Sequence, residues 1–368
     1  MFDTVIIGAG VIGLSIARAI AEKTNKSVLV IEKKESYGRG ISSRNSEVIH
    51  SGIYYDPHSL KAKYCTEGRD LLYDFCKKEN VWHNPCGKLV VGHSHQEAEL
   101  NALYQNGLAN GVPNINIIKR QDIQKMEPHI EADFALHVEC TGIISAHELM
   151  TAFYRISQSS DHDYLFKSRV VGANAASNGY ILDIENADGE IEQVECSWVI
   201  NASGLESDLI AQMMGGDFPS LRYSKGCYYK LASQWRNAFN HLIYPLPDKA
   251  HGSLGIHLSF DETQTVKLGP SAHWVDGRTE DYHVESSLLD QFYNEGKRYI
   301  KGLEKDHLSP DYAGIRPKIW TDDNPMPDFY ISHETEKGFP GWVNLIGVES
   351  PGLTASISIG NDVANQII

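Results

Sequence analysis

Residues 4–34, TVIIGAGVIGLSIARAIAEKTNKSVLVIEKK, restrict the fold more than any other part of the chain. Val5–Ile7 is a short apolar run of strand type, followed by Gly8, Gly10 and Gly13 in the spacing G-x-G-x-x-G. From Val11 to about Lys23 the residues follow helical spacing, with Leu14, Ala17, Arg18 and Ala21 on the pattern. A second strand, Ser27–Ile31, ends at Glu32. Gly8 permits a tight turn, Gly10 lets the backbone approach a pyrophosphate, and Gly13 lets the helix pack close to the strand. The helix start at Val11 and Ile12 offers free N–H groups and a partial positive charge to phosphates. Glu32, followed by Lys33, stands where a carboxylate accepts hydrogen bonds from ribose hydroxyls. The unit reads as a dinucleotide site. The carboxylate alone does not separate FAD from NAD, but a unit at the start of the chain leans towards FAD.

The 368 residues, 42% of them hydrophobic, suffice for one large or two medium domains. A net charge of −15 repels nucleic acid and anionic membrane. A small anionic substrate stays compatible with it, because a pocket can be cationic on an acidic protein. The cysteines, Cys65, Cys76, Cys86, Cys140, Cys196 and Cys227, form no C-x-x-C pair. They are expected to be reduced thiols of a cytosolic protein, with no metal centre. The N-terminus starts directly with a strand and has no basic signal-peptide region. No apolar run reaches the ~18 residues needed to cross a bilayer. A cytoplasmic location is expected, with room for peripheral contact at the inner face of a membrane.

Motifs along the whole chain carry a resemblance. They are RNSEVIHSGIYY, SLKAKYCTEG, CGKLVVG, GIISAHEL, INASGLESD, HLIYPLPD, GIHLS, AGIRPK and NLIGVESPGLTASISIG. With them the chain resembles the D-amino-acid-oxidase-like family of FAD-dependent oxidoreductases, and within it the L-2-hydroxyglutarate dehydrogenase/oxidase group. Two features depart from the group. Its usual N-S-G-V-I-H has Glu47 at the glycine position, and the chain is short between LGPSA and AGIRPK.

The resemblance implies roles for particular residues. Ser42, Ser43, Arg44, Asn45, Ser46 and Val48 belong to a segment passing under the pyrophosphate and the flavin ring. Small Ser51 and Gly52 would let the backbone approach the ring, with His50 beside it. Glycerol-3-phosphate dehydrogenases carry a similar I-H-G-G run. The backbone at Val170 would meet the adenine, and the turn Ala202-Ser203-Gly204 would lie beside the dinucleotide. From about Arg222 the short alternating runs rich in Tyr, His, Lys and Gly read as an antiparallel sheet. On it Lys225 and His257 are expected to face the flavin. Gly314-Ile315-Arg316-Pro317 matches a motif whose arginine binds the substrate carboxylate, for which guanidinium is the natural bidentate partner. Gly347, Glu349, Ser350, Pro351, Gly352, Leu353 and Thr354 form a turn and a helix start expected to point at the flavin N1–C2=O edge.

The expected fold is α/β: a Rossmann-like FAD-binding domain with an inserted α+β substrate domain built on a mixed or antiparallel sheet. The FAD domain is expected at 1–88, 142–220 and 312–368, and the substrate domain at 89–141 and 221–311. The expected reaction is oxidation of a small 2-hydroxy acid, L-2-hydroxyglutarate-like, to the 2-oxo acid by hydride transfer to flavin N5. His50 and His257 are candidate bases, and Arg316 is the carboxylate clamp. Lys225 would hold a second carboxylate or assist oxygen chemistry. The electron acceptor, a quinone, oxygen or an electron carrier, is left open. The alternatives are an amino-acid or sarcosine-type oxidase, a glycerol-3-phosphate dehydrogenase, or a non-catalytic flavin-binding protein.

Overall fold

The computed structural model describes residues 1–160, 162–246, 255–321 and 324–368. The last two residues of the HLIYPLPD motif lie outside the described residues. Strand β1 (Phe2–Ile7) leads through Gly8 into helix α1 (Val11–Lys23), and strand β2 (Val28–Glu32) returns parallel to β1, Ile6 facing Val30. On the other side of β1 runs the end of β3 (Ile191–Asn201), with Ile200 facing Ile6. These strands are covered on both faces, which explains their near-continuous apolar sequences.

The first sheet takes its strands from three stretches of chain: β1 and β2, the segments between Asp163 and Asn201, and two strands near the C-terminus. Gly13 faces the turn it helps to form, and a Cβ there would lie 1.9 Å from the Gly8 carbonyl oxygen. Helix α2 (Leu60–Glu79), capped by the Ser59 hydroxyl accepting from the Ala62 N–H, packs nearby. Its Gly68 leaves no room for a Cβ, which would meet the Thr354 carbonyl oxygen at 2.4 Å.

The second sheet is centred on the long antiparallel pair β4 (Ser220–Leu231) and β5 (Leu308–Thr321). Beyond β4 come Val266–Gly269, His257–Phe260, Leu242–Pro245, Lys88–Gly92, Phe134–Val138 and Ile115–Lys119 in that order. The expected domain cut at 88/89 falls at the start of one of these strands, and the cut at 220/221 at the start of β4. The cut at 311/312 falls inside β5, all of which belongs to this sheet. The chain then returns to the first sheet with β6 (Trp342–Ile346), parallel to β3, and closes with helix α3 (Gly352–Ile367). Each sheet has its own apolar core, around Leu89, Leu136 and Leu258 in the second and around Leu14, Ile200 and Ile359 in the first. Among the described residues no helix is long and apolar enough to cross a membrane.

Gly13→Ala tests the tightest point of this frame, since the obstacle is backbone. We expect a loss of ~1–3 kcal/mol or more, read as an earlier urea midpoint with unchanged slope. A parent-like midpoint would mean that helix and turn separate without cost.

Candidate active site

A cavity of about 720 Å³ lies where the two sheets meet. Pockets of ~300–1,000 Å³ are the usual size for a cofactor or small-molecule site. At one end its wall is the Gly8 turn with Gly10, Val11 and Ile12. Gly8 has φ +104, and a Cβ there would lie 2.5 Å from the Ala202 carbonyl oxygen, so only glycine lets the two loops touch. Ala202, Ser203 and Gly204 line the same end. The Ser42 hydroxyl accepts from the Val11 N–H at 2.9 Å. Glu32 accepts from the N–H groups of Ala9 and Lys34, both at 2.9 Å, which aims its carboxylate along the wall. Lys33 lines the cavity and pairs with Glu206 at 3.2 Å. A glycine cradle, a helix start and a fixed carboxylate fit the pyrophosphate and ribose of FAD.

The segment after β2 then runs along the cavity. Arg44 lies 4.0 Å from the centre of the Tyr282 ring, and Asn45 donates to the Ser42 carbonyl at 2.7 Å. The Ser46 and Tyr228 hydroxyls are 2.7 Å apart. Val48 and His50 also line the wall. His50 donates its backbone N–H to the Thr354 hydroxyl at 3.0 Å, and its Nε2 is 3.2 Å from the Ser350 hydroxyl. Burial, with Lys88 and then His257 adding positive charge, holds its imidazole down at about 3, so it is neutral at physiological pH. His257, on the second sheet, stacks on Tyr244 with ring centres 3.6 Å apart.

The cationic part of the wall comes from β5 and α2. Gly314, Arg316 and Lys318 line the cavity. Gly314 has no room for a Cβ, which would lie 2.1 Å from the Arg44 carbonyl oxygen. The Arg316 guanidinium donates to the Ser271 carbonyl at 3.2 Å. It passes over Gly226, where a Cβ would stand 2.7 Å from its nitrogen. Glu349 is buried between two ammonium groups, Lys61 at 3.0 Å and Lys318 at 2.5 Å. Ser350, Pro351, Gly352 and Leu353 complete this side.

Several residues expected at the site stand elsewhere. Lys225 is turned away: Ser224, Gly226 and Tyr228 of β4 line the cavity, so the alternation of a strand puts Lys225 on the other face, 2.5 Å from Asp281. Ser43 is exposed and donates to Gly40. The Val170 side chain packs in the core of the first sheet, which leaves only its backbone for the role expected of it. Gly13, Ser51, Gly52, Gly347 and Thr354 lie behind the wall. Gly52 and Gly347 have positive φ, +101 and +68, and Thr354 acts through its bond to His50. The residues missed by sequence reasoning are Tyr54, Tyr55, Lys61, Tyr228, Tyr244, Gly226 and Lys318 in the wall. Three had a signal in the sequence: Tyr54 and Tyr55 follow His50 closely, and Lys318 is two residues from Arg316, hence on the same side of its strand.

Glu47, at the position where the group carries glycine, takes a glycine-like φ of +55. Its carboxylate accepts from the Ala146 N–H at 2.9 Å, at the start of helix Ala146–Gln158. The left-handed backbone costs a non-glycine residue ~1–2 kcal/mol, and a helix-start acceptor contributes ~0.5–2 kcal/mol. The two offset, so Glu47→Gly should change stability by no more than about 1 kcal/mol. Glu47→Val keeps the strain of the parent and loses only the bond, and should cost ~0.5–2 kcal/mol. Urea denaturation of the pair separates these outcomes.

The family described as FAD dependent oxidoreductase matches residues 3–366. The chain is 33% identical over 405 residues to the mitochondrial L-2-hydroxyglutarate dehydrogenase of Arabidopsis thaliana, covering 100% of this chain and 83% of that protein. Identity to the human mitochondrial L-2-hydroxyglutarate dehydrogenase is 35% over 412 residues, covering 100% and 88%. To the L-2-hydroxyglutarate dehydrogenase of Escherichia coli K12 it is 28% over 403 residues, covering 100% and 93%. Among solved structures, the L-alpha-glycerophosphate oxidase of Mycoplasma pneumoniae with FAD bound superposes with a TM-score of 0.89 at 23% identity, covering 100% of this chain and 94% of that one. The glycine oxidase of Geobacillus kaustophilus gives 0.81 at 19%, covering 100% and 94%; at these identities the likeness concerns the fold. A dinucleotide cradle at one end of the cavity, a neutral imidazole and cations at the other, and a family match over nearly the whole chain lead to one conclusion: the chain belongs to the FAD-dependent oxidoreductase family, and its cofactor is FAD.

Proposed function

We propose that this protein oxidises L-2-hydroxyglutarate to 2-oxoglutarate. The observation that carries the reading is one group in the cavity wall: Arg316, Lys318 and Lys61 around the buried carboxylate of Glu349, beside the neutral imidazole of His50. Three cations facing one buried anion leave positive charge for a dianion. The dehydrogenases named above, similar over the full chain, act on such a substrate by name.

FAD, when bound, supplies the two-electron acceptor for the hydride that leaves C2. Arg316 holds the carboxylate next to the reacting carbon, with its fork set by the Ser271 carbonyl and the clearance over Gly226. His50 takes the hydroxyl proton at Nε2, the nitrogen steadied by the Ser350 hydroxyl. Tyr54, Tyr55, Tyr228 and Tyr244 cover the site with aromatic surface and keep water from the carboxylates. Lys318 and Lys61 offer the second carboxylate a cationic end. The reduced enzyme then needs an acceptor, a quinone, oxygen or an electron carrier, and the cytoplasm or its membrane boundary is the expected place of work.

The test is anaerobic mixing of the yellow holoenzyme with L-2-hydroxyglutarate, its D-enantiomer, L-lactate, glycerol 3-phosphate and glycine. We expect L-2-hydroxyglutarate to bleach the flavin fastest; bleaching by glycine or glycerol 3-phosphate alone would overturn the reading. Truncating a buried charged partner costs ~2–5 kcal/mol. Arg316→Ala should accordingly raise the apparent substrate constant by about 10–10³-fold or more, with flavin content near normal. Arg316→Lys should recover only part of this, since it keeps the charge and loses the fork. Parent-like kinetics of Arg316→Ala would remove the clamp from the mechanism.

A further inference from the structure

Strand Lys88–Gly92 runs in the second sheet beside Leu242–Pro245, with Lys88 opposite Leu242. The Lys88 side chain is fully buried at 0% exposure, and its Nζ has no hydrogen-bond partner among the described residues. The ammonium lies 4.8 Å from the centre of the Tyr54 ring and 4.7 Å from that of Tyr244. Both tyrosines line the cavity. Tyr244 stands in contact with both the stacked His257 ring and the ammonium. A cation is thus held one aromatic layer behind the wall of the active site.

Its charge is not balanced by the protein. Burying an ammonium costs several kcal/mol, while a desolvated cation–π contact returns about 2 kcal/mol. Four groups that face Lys88 could in principle become anions: Tyr54, Tyr244, Cys65 and Cys140. Burial pushes the Cys65 thiol up to about 12 and raises Cys140, Tyr54 and Tyr244 as well, so all four stay protonated. Arg69 stands 3.7 Å from the Cys140 sulfur and adds further positive charge, although it is paired with Asp70. His50, the remaining ionisable neighbour, is neutral. Lys88 itself is pushed down by burial to about 8, which leaves it mostly charged at neutral pH.

We propose that Lys88 is a positioning residue for the reaction: its uncompensated buried charge acts through the Tyr54–Tyr244 layer to balance an anionic substrate and to keep His50 uncharged until that anion arrives. The first effect rests on the dianionic substrate proposed above, whereas the second rests on shared surroundings: the Cys65 thiol beside Lys88 donates to the His50 carbonyl at 3.5 Å, and Tyr54, under the ammonium, follows His50 by four residues. No contact between Lys88 and the substrate is needed, because Coulomb interaction in a poorly screened interior reaches across one ring.

Two readouts on the holoenzyme separate this from a packing role, using the parent and Lys88→Met, which keeps the length of the side chain and removes the charge. The first is the affinity for glutarate, a redox-inert dianion, followed by flavin absorbance from pH 6 to pH 9. We expect Lys88→Met to bind glutarate about tenfold or more weakly at neutral pH. We also expect the parent to lose that advantage as pH rises through about 8, the two proteins converging as Lys88 gives up its proton. Lys318, which burial also pushes down, contributes equally to both, so the difference between them reports Lys88. The second readout is the ring resonance of His50 in labelled protein. In the parent it should stay neutral to the lowest pH at which the fold persists; in Lys88→Met its midpoint should move up by about one pH unit. Equal glutarate affinity at all pH values with an unmoved His50 titration overturns the proposal. A loss of affinity that is the same at every pH, again with His50 unmoved, assigns Lys88 to packing and also overturns it. If glutarate does not bind the parent, the substrate reading falls while the His50 titration still decides the role of Lys88.

Discussion

The hydroxyl of Thr354 holds the site together. It accepts the His50 N–H at 3.0 Å and donates to the Val48 carbonyl at 3.2 Å, so one side chain at the start of α3 fixes the backbone that presents the imidazole. Ser350, four residues earlier, reaches the ring of the same histidine. Around this joint the close approaches of small residues become intelligible. Gly68 brings α2 against the Thr354 carbonyl, and Gly360 brings α3 against Ser15 of α1. Three helices share one contact zone, and the imidazole is set by the zone rather than by a loop.

Charge is distributed unevenly in this protein. The chain as a whole carries −15, yet the cavity wall carries Arg316, Lys318 and Lys61, with the Glu349 carboxylate between the two lysines. An acidic exterior keeps the protein apart from polyanions, while a small anion that enters the cavity meets cations shielded from solvent, where the same charges act more strongly than in water. Glu349 makes this arrangement tolerable. Without it, two ammonium groups would stand near each other in a buried place.

The sequence made the dinucleotide end legible because its signals are local. Gly8, Gly10, Gly13 and Glu32 sit within one strand–turn–helix–strand unit, and their spacing alone states the geometry. Arg316 was reached through the resemblance, by the G-x-R-P motif in which it sits. Lys225 shows the limit of such reading. Its neighbours on β4 were expected to form a substrate wall and do line the cavity, but which of two alternating faces a residue takes depends on pairing with β5, a strand about 90 residues away. Lys88 was hidden for a different reason: nothing in CGKLVVG marks a lysine that is buried, since burial is set by Tyr54 and Tyr244, which come from two distant segments.

The bond between His50 and Thr354 also orders events in time. The two partners are 304 positions apart in sequence, and β1 cannot be flanked on both sides until β3 has been made. A chain emerging from the ribosome therefore displays its glycine turn and its histidine long before the residues that lock them exist. Closing so long a loop is entropically late in folding. The first half of the cradle must wait, with its apolar strands exposed, for the final helix. Until that helix is made, the backbone that presents the imidazole lacks the hydroxyl that fixes it.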